Sequence, residues 1–314
     1  MMITFTNQTL RQITKILQNY THTMQPKDIL AFKVLNPDIA DSVYNGTHIT
    51  WYGEDYIYRG YKNWVDLAHL LKCRMLTPKT ADEPFVVIRY EKLNEDNSFH
   101  KNITDKEEKY GKNSIFGEIH KNEESSFLYY YMQALQNVHV NKRRRILNLG
   151  VNSGDEFEVI AALADNFDEL ELVGIDYCAS AIATAKEKFQ NFSNISLHVN
   201  DINELEKLNL GRFDLIISIG TLQSSNLAYH QLLMSIVQNR LKKEGAVILG
   251  FPNCRWVDGE MIYGARVKNY PFSEMGLLYK DVIFAKKYLQ QKKFRVTVTG
   301  KDYIFLTATS IRKN

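Results

Sequence analysis

From about residue 145 to 309, short apolar runs alternate with longer stretches of helical period. The runs at 145–150, 172–176, 195–199, 213–219 and 246–251 predict β-strands. The stretches at 155–167, 179–189, 227–241 and 273–292 predict helices. Alternation of this kind predicts a parallel sheet with helices on both faces. Two further runs, 295–299 and 303–309, are joined only around Gly300-Lys301-Asp302. A parallel crossover needs about a dozen residues, so these two strands form an antiparallel hairpin at the sheet edge.

Before residue 140 the pattern is less regular. Leu10, Ile13, Leu17 and Tyr20 fall at helical spacing, with Asn7 as a candidate cap. Residues 44–60 carry Tyr, Trp and two glycines and read as short strands and turns. Residues 64–71 predict a helix, 84–90 a strand, 93–113 a loop and 123–135 a helix with a broad apolar face. The chain therefore divides into an N-terminal α+β substrate or lid domain over 1–115 and a second domain over 116–314 that includes its leading helix.

Composition narrows the class. The apolar fraction of 45% supports a proper core, and no run approaches the length of a membrane span. Polar residues interrupt the N-terminal apolar positions, which argues against a signal peptide. The three cysteines, Cys73, Cys178 and Cys254, have no paired metal-ligand spacing, and they fit a reducing cytoplasm. Net charge is +3, from 39 basic and 36 acidic residues. The one tight basic run, Lys142 to Arg145, directly precedes a strand and reads as a solvated strand entrance.

The candidate chemistry sits at successive strand ends. The first strand runs into Gly150-Val151-Asn152-Ser153-Gly154, and a helix follows. Glycine lets a ligand approach the backbone closely, and the helix start offers free N–H groups. Asp176 ends the second strand, where a carboxylate can accept from both hydroxyls of a ribose, and Tyr177 follows it. Asp201 and Ile202 follow the third strand, suited to an adenine amino group and ring face. Ser218 and Gly220 are small residues at the end of the fourth.

Taken together, residues 144–309 resemble the class I S-adenosylmethionine-dependent methyltransferases. Residues 146–154 are similar to that family's first motif, Asp176 to its ribose-binding acid, Asp201 to its adenine-binding acid, and 213–220 to its fourth-strand motif. The resemblance implies a Rossmann-like seven-stranded sheet, mostly parallel, with a C-terminal antiparallel hairpin. It implies S-adenosyl-L-methionine as cofactor and methyl transfer as the activity. The chain departs from the family pattern at Asn148, where Asp or Glu is usual, and at Asn152, where glycine is usual. Asn tolerates the left-handed conformation such a turn requires.

The acceptor is less determined. Residues 252–271 form a long segment after the fifth strand and offer Asn253, Arg255, Trp256, Tyr263 and Arg266 as substrate-binding candidates. Lys121 or Tyr131, on the segment before the first strand, are candidates to reach the cofactor's carboxylate. No residue stands out as a catalytic base, because an activated methyl donor needs mainly alignment. The balanced charge favours a small-molecule acceptor, with RNA or protein as alternatives. A dinucleotide oxidoreductase is disfavoured because the turn lacks the G-x-G-x-x-G arrangement. A non-catalytic cofactor-binding module is the third reading, motivated by Asn148 and Asn152.

Overall fold

The computed structural model describes residues 2–98, 108–224, 226–265 and 274–312. Arg266 and part of the expected 93–113 loop lie outside these residues. Two compact units emerge, Met1–Lys101 with Trp256–Ile262, and Asn102–Arg255 with Tyr263–Asn314.

The first unit contains β1 (Ile3–Thr4), α1 (Leu10–Thr23), β2 (Ile29–Leu35), β3 (His48–Trp51), β4 (Glu54–Ile57), α2 (Tyr61–Leu70), β5 (Cys73–Thr80) and β6 (Phe85–Lys92). One sheet runs β1-β2-β6-β5, with β1 parallel to β2 and the other pairings antiparallel. Helix α1 starts two residues later than Asn7 would cap it. Thr9 is the N-cap, and Gln12 reaches back to its N–H, completing a capping box. Ile13 and Leu17, one turn apart, join Phe32, Trp64 and Tyr90 in the core. The Tyr90 hydroxyl donates to the Trp64 carbonyl at 2.7 Å, so this buried phenol is satisfied.

The second unit contains α3 (Ser125–Asn137), β7 (Arg145–Leu149), α4 (Asp155–Leu163), β8 (Glu171–Asp176), α5 (Ala179–Lys188), β9 (Ile195–Val199), β10 (Phe213–Ile219), α6 (Tyr229–Ser235) and β11 (Leu241–Pro252). After β11 come β12 (Cys254–Val257) and β13 (Glu260–Tyr263), of which Trp256–Ile262 belong to the first unit, and the second unit continues with α7 (Gly276–Gln291), β14 (Phe294–Gly300) and β15 (Tyr303–Ser310). Its seven-stranded sheet has the order β14-β15-β11-β10-β7-β8-β9. Strands β7 to β11 are parallel, and β15 is antiparallel to both β11 and β14. The order reverses between β7 and β10, the topological switch at which open α/β sheets place ligands. A core of aliphatic side chains from β7, β8, β10, β11 and β15 packs against α6 and α7.

Two elements differ from the sequence expectation. The stretch 227–241 is helical over Tyr229–Arg240, but its end widens: α6 passes at Ser235 into a π-helix over Ile236–Arg240, and Leu241 already pairs with Phe213. The segment 252–271 is not a plain loop. It begins with the hairpin β12–β13, turned by Asp258 (φ 51°) and Gly259 (φ 82°). Successive positive φ values give the tight turn that matches strand twist, and Asp-Gly is suited to it.

Candidate functional site

The site is built at the carboxyl ends of β7 to β10, which lie on one edge because these strands are parallel. After Leu149 the chain turns at Gly150 (φ 79°), where an added Cβ would run into the Thr221 side chain. The Gly150 and Val151 amides both donate to the Ile175 carbonyl, at 2.8 and 3.1 Å, tying the turn to β8. Asn152 takes φ 45°, and Gly154 (φ 87°) is the N-cap of α4. A Cβ on Gly154 would collide with Phe189. Glycine is therefore required at both ends of the turn, by conformation and by contact.

Asp176 closes β8 and is held by backbone donors. Its Oδ2 accepts from the Asn152 N–H and its Oδ1 from the Cys178 N–H, each at 2.9 Å. Burial pushes its carboxyl above the usual aspartate range, against the pull of the Cys178, Asn152 and Tyr177 amides. A carboxylate has about four lone-pair positions, so acceptor capacity remains beyond these three amides. Tyr177 is exposed beside it. Asp201 caps the turn of helix at Ile202–Leu208 by accepting from the Asn203 N–H at 2.8 Å, and Ile202 is buried beneath it. Ser218 is buried, and its hydroxyl donates to the Leu149 carbonyl at 3.1 Å, which joins β10 to the end of β7. Gly220 (φ 72°) faces Pro252.

Beneath the glycine turn lies a polar cluster that the local pattern did not reveal. Asn148 is 1% exposed and donates from Nδ2 to Glu156 Oε2 at 3.4 Å. Glu156, also 1% exposed, pairs through Oε1 with Lys121 Nζ at 3.0 Å. The Asn148 amide must turn its donor toward this carboxylate, which leaves its Oδ1 as a buried acceptor with no partner. Burial lowers the Lys121 pKa, but Glu156, Asp155 and Asp176 outweigh it and hold the lysine above its usual value, fully charged. Tyr131 donates to the Glu156 carbonyl at 3.3 Å, so its hydroxyl supports the start of α4. Asp155, Glu156 and Glu158 all fall in the first turn of α4, where the helix dipole favours negative charge.

Of the acceptor candidates, Asn253, Arg255 and Tyr263 meet near the base of the β12–β13 hairpin, where Arg255 donates to the Tyr263 carbonyl at 3.4 Å and the Gly264 N–H donates to the Asn253 carbonyl at 2.8 Å. Asn253 is buried and donates to the Lys301 carbonyl at 3.1 Å. Arg255 donates to the Gly264 carbonyl at 3.0 Å. Tyr263 is exposed, with its hydroxyl donating to the Met275 sulfur. Trp256 belongs to the first unit. Cys254 is a poor nucleophile, because burial and then the charges of Asp302 and Glu124 push its thiol up to about 12.

The fold is a Rossmann-like α/β domain whose candidate residues gather at the switch point of its sheet. Comparison with known proteins gives the family: the one described as "Methyltransferase domain" matches residues 141–298, half of the chain, and the chain belongs to it. Two carboxy-S-adenosyl-L-methionine synthases of Helicobacter pylori, from strains HPAG1 and Shi470, are each 27% identical over 157 residues. Those matches cover 48% of this chain and 63% of each relative. Among solved structures, the N-methyltransferase NodS from Bradyrhizobium japonicum WM9 in complex with S-adenosyl-L-homocysteine is 17% identical. That match covers 59% of this chain and 88% of NodS, at a TM-score of 0.42. Precorrin-6y C5,15-methyltransferase from Geobacter metallireducens GS-15 is 14% identical, covering 58% and 88% of the two chains at a TM-score of 0.41.

Proposed function

We propose that the chain is an S-adenosyl-L-methionine-dependent methyltransferase acting on a small molecule. The observation that carries this reading is the convergence of the Gly150–Gly154 turn, Asp176 and Asp201 on one sheet edge, at the switch point of a methyltransferase-family domain. The residues present suit the cofactor. The turn and the first amides of α4 admit close backbone approach. Asp176 keeps acceptor capacity for the ribose hydroxyls, and Asp201 with Ile202 suits the adenine. The unpartnered Asn148 Oδ1, next to Glu156, suits the ammonium of the methionyl end, and Lys121 suits its carboxylate. When bound, the cofactor supplies an activated methyl group on a sulfonium.

What remains for the chain is to position the acceptor in line with that methyl group and to exclude water. We assign acceptor selection to the first unit together with the β12–β13 hairpin. Two features support a small molecule over RNA. The names of the Helicobacter relatives specify a small-molecule product. The basic run before β7 is also largely committed. Arg145 pairs with Glu171 at 2.6 Å and donates to the Arg212 and Leu210 carbonyls, and Arg143 donates to the Val138 and Glu244 carbonyls. Among the described residues, no helix is long and apolar enough to cross a membrane. All three cysteines are free thiols, which supports a cytoplasmic setting.

The test is transfer of a labelled methyl group from S-adenosylmethionine to extract separated into small-molecule, RNA and protein fractions. Label in the small-molecule fraction supports the proposal. Label confined to RNA or protein contradicts the acceptor class. Cofactor binding with no labelled product favours a binding module that lacks catalysis.

A further inference from the structure

Residues 108–123 lie against the glycine turn and the start of α4, to which cofactor binding is ascribed above, and against the start of α5. The Asn152 Nδ2 donates to the Tyr110 carbonyl at 2.8 Å, at the glycine turn. The Lys112 amide donates to Ser180 Oγ at 3.2 Å, and Glu108 accepts from the same hydroxyl, at the start of α5. At the far end, Asn122 donates to the Asp155 carbonyl at 2.9 Å, beside the buried Lys121–Glu156 pair.

Between these attachments the stretch is a body of its own. Successive turns link Glu108 to Gly111, Gly111 to Ser114, Ser114 to Gly117 and Phe116 to Ile119. Tyr110 and Phe116 meet edge to face at 4.9 Å. Gly117 lies so close to the Gly111 and Lys112 carbonyls that a Cβ would stand 2.7 Å from each. The far end is fixed by a buried charge pair, whereas the Asn152 bond is exposed.

We propose that Asn152 is a positioning residue that latches residues 108–123 over the glycine turn and so sets how long the cofactor stays bound. The proposal rests on the cofactor reading above. Asn152 occupies φ 45°, a conformation glycine takes at lower cost. Its side chain has a use there that glycine lacks. The same residue gives its N–H to Asp176 and its side-chain amide to Tyr110, so it connects the ribose acid to the strap.

The test measures dissociation of S-adenosylhomocysteine from the full chain for wild type, Asn152→Gly and Asn152→Asp. Asn152→Gly relieves the backbone but removes the latch. Asn152→Asp keeps size and turn tolerance but removes the donor. Both should release the ligand about 3- to 10-fold faster, as expected for one exposed hydrogen bond, with association within about twofold of wild type. Ligand should slow tryptic cleavage after Lys109 and Lys112 in wild type and much less in either variant. An Asn152→Gly protein with the wild-type release rate overturns the latch. So does an Asn152→Asp protein that releases as slowly as wild type. If wild type binds no S-adenosylhomocysteine, the cofactor reading falls and the latch with it. Wild-type binding with unchanged variants removes the latch alone.

Discussion

Lys121 and Glu156 form a buried ion pair 3.0 Å apart, joining the segment before β7 to the first turn of α4. The pair lies directly behind Asn148, where the family usually carries an acid, and Glu156 brings a carboxylate to that place from the neighbouring element. A single charge left there without its partner is costly, whereas removing both together is much less so. Lys121→Met should therefore destabilise the protein by about 3–5 kcal/mol. The double variant Lys121→Met with Glu156→Gln should recover most of that loss. Urea denaturation of the three proteins checks it. A single variant as stable as wild type would show that the pair is not buried as described.

Gly154 tests the turn. Alanine there meets a left-handed φ, costing about 1–2 kcal/mol, and drives its Cβ into Phe189. The turn or the start of α4 must shift. Gly154→Ala should weaken S-adenosylhomocysteine binding by at least about tenfold, a difference of roughly 1.4 kcal/mol. Titration calorimetry reads this directly, and an unchanged affinity would mean that the turn does not touch the ligand.

Asp176 carries a pH prediction. Its folded pKa is raised, chiefly by burial. A raised pKa contributes stability below the unfolded value, and that contribution is lost as pH rises through the folded value. At neutral pH the buried charge therefore costs stability while serving as acceptor. Cofactor affinity should fall as pH drops through a value above the ordinary aspartate range of about 3.9. Asp176→Asn should lose at least about tenfold in affinity at pH 7 and lose the acid limb altogether. Affinity of wild type that stays flat down to pH 4 would contradict this.

In the first unit, Asp258 at the tip of the β12–β13 hairpin is a hub. Its carboxylate accepts from Arg74 at 3.0 Å, Lys27 at 3.2 Å, the Asn94 N–H at 3.1 Å and Asn97 at 3.0 Å. Asp258→Ala should cost about 2–3 kcal/mol, the scale of charge-assisted hydrogen bonds. Thr9→Ala, which removes only the cap of α1, should cost about 1 kcal/mol. Thermal melts of both variants rank them, and the reverse order would contradict the role given to Asp258.

The main-sheet strands of the second unit were legible as β-rich runs bounded by polar turns, and the order of Gly150, Asp176 and Asp201 marked the candidate site. The first unit was harder to read. Strand β2 carries Lys33 within its run, and β5 contains Pro78 at a register shift between Leu76 and Lys79. Asn7 resembles a cap, but only Thr9 has a Gln three residues on. The β12–β13 hairpin carried its Asp-Gly signal, yet strands of four residues are too short to show a period. The Lys121–Glu156 pair was illegible, since its members lie 35 positions apart and only the fold brings them together.

Every reading of the site rests on S-adenosylmethionine binding by the second unit at the turn between β7 and α4. Calorimetric titration of the full chain with S-adenosylhomocysteine, alongside NAD, tests it most directly. One S-adenosylhomocysteine should bind per chain, with marked weakening in Gly154→Ala and Asp176→Asn and no heat with NAD. Tight NAD binding with none of S-adenosylhomocysteine would contradict it.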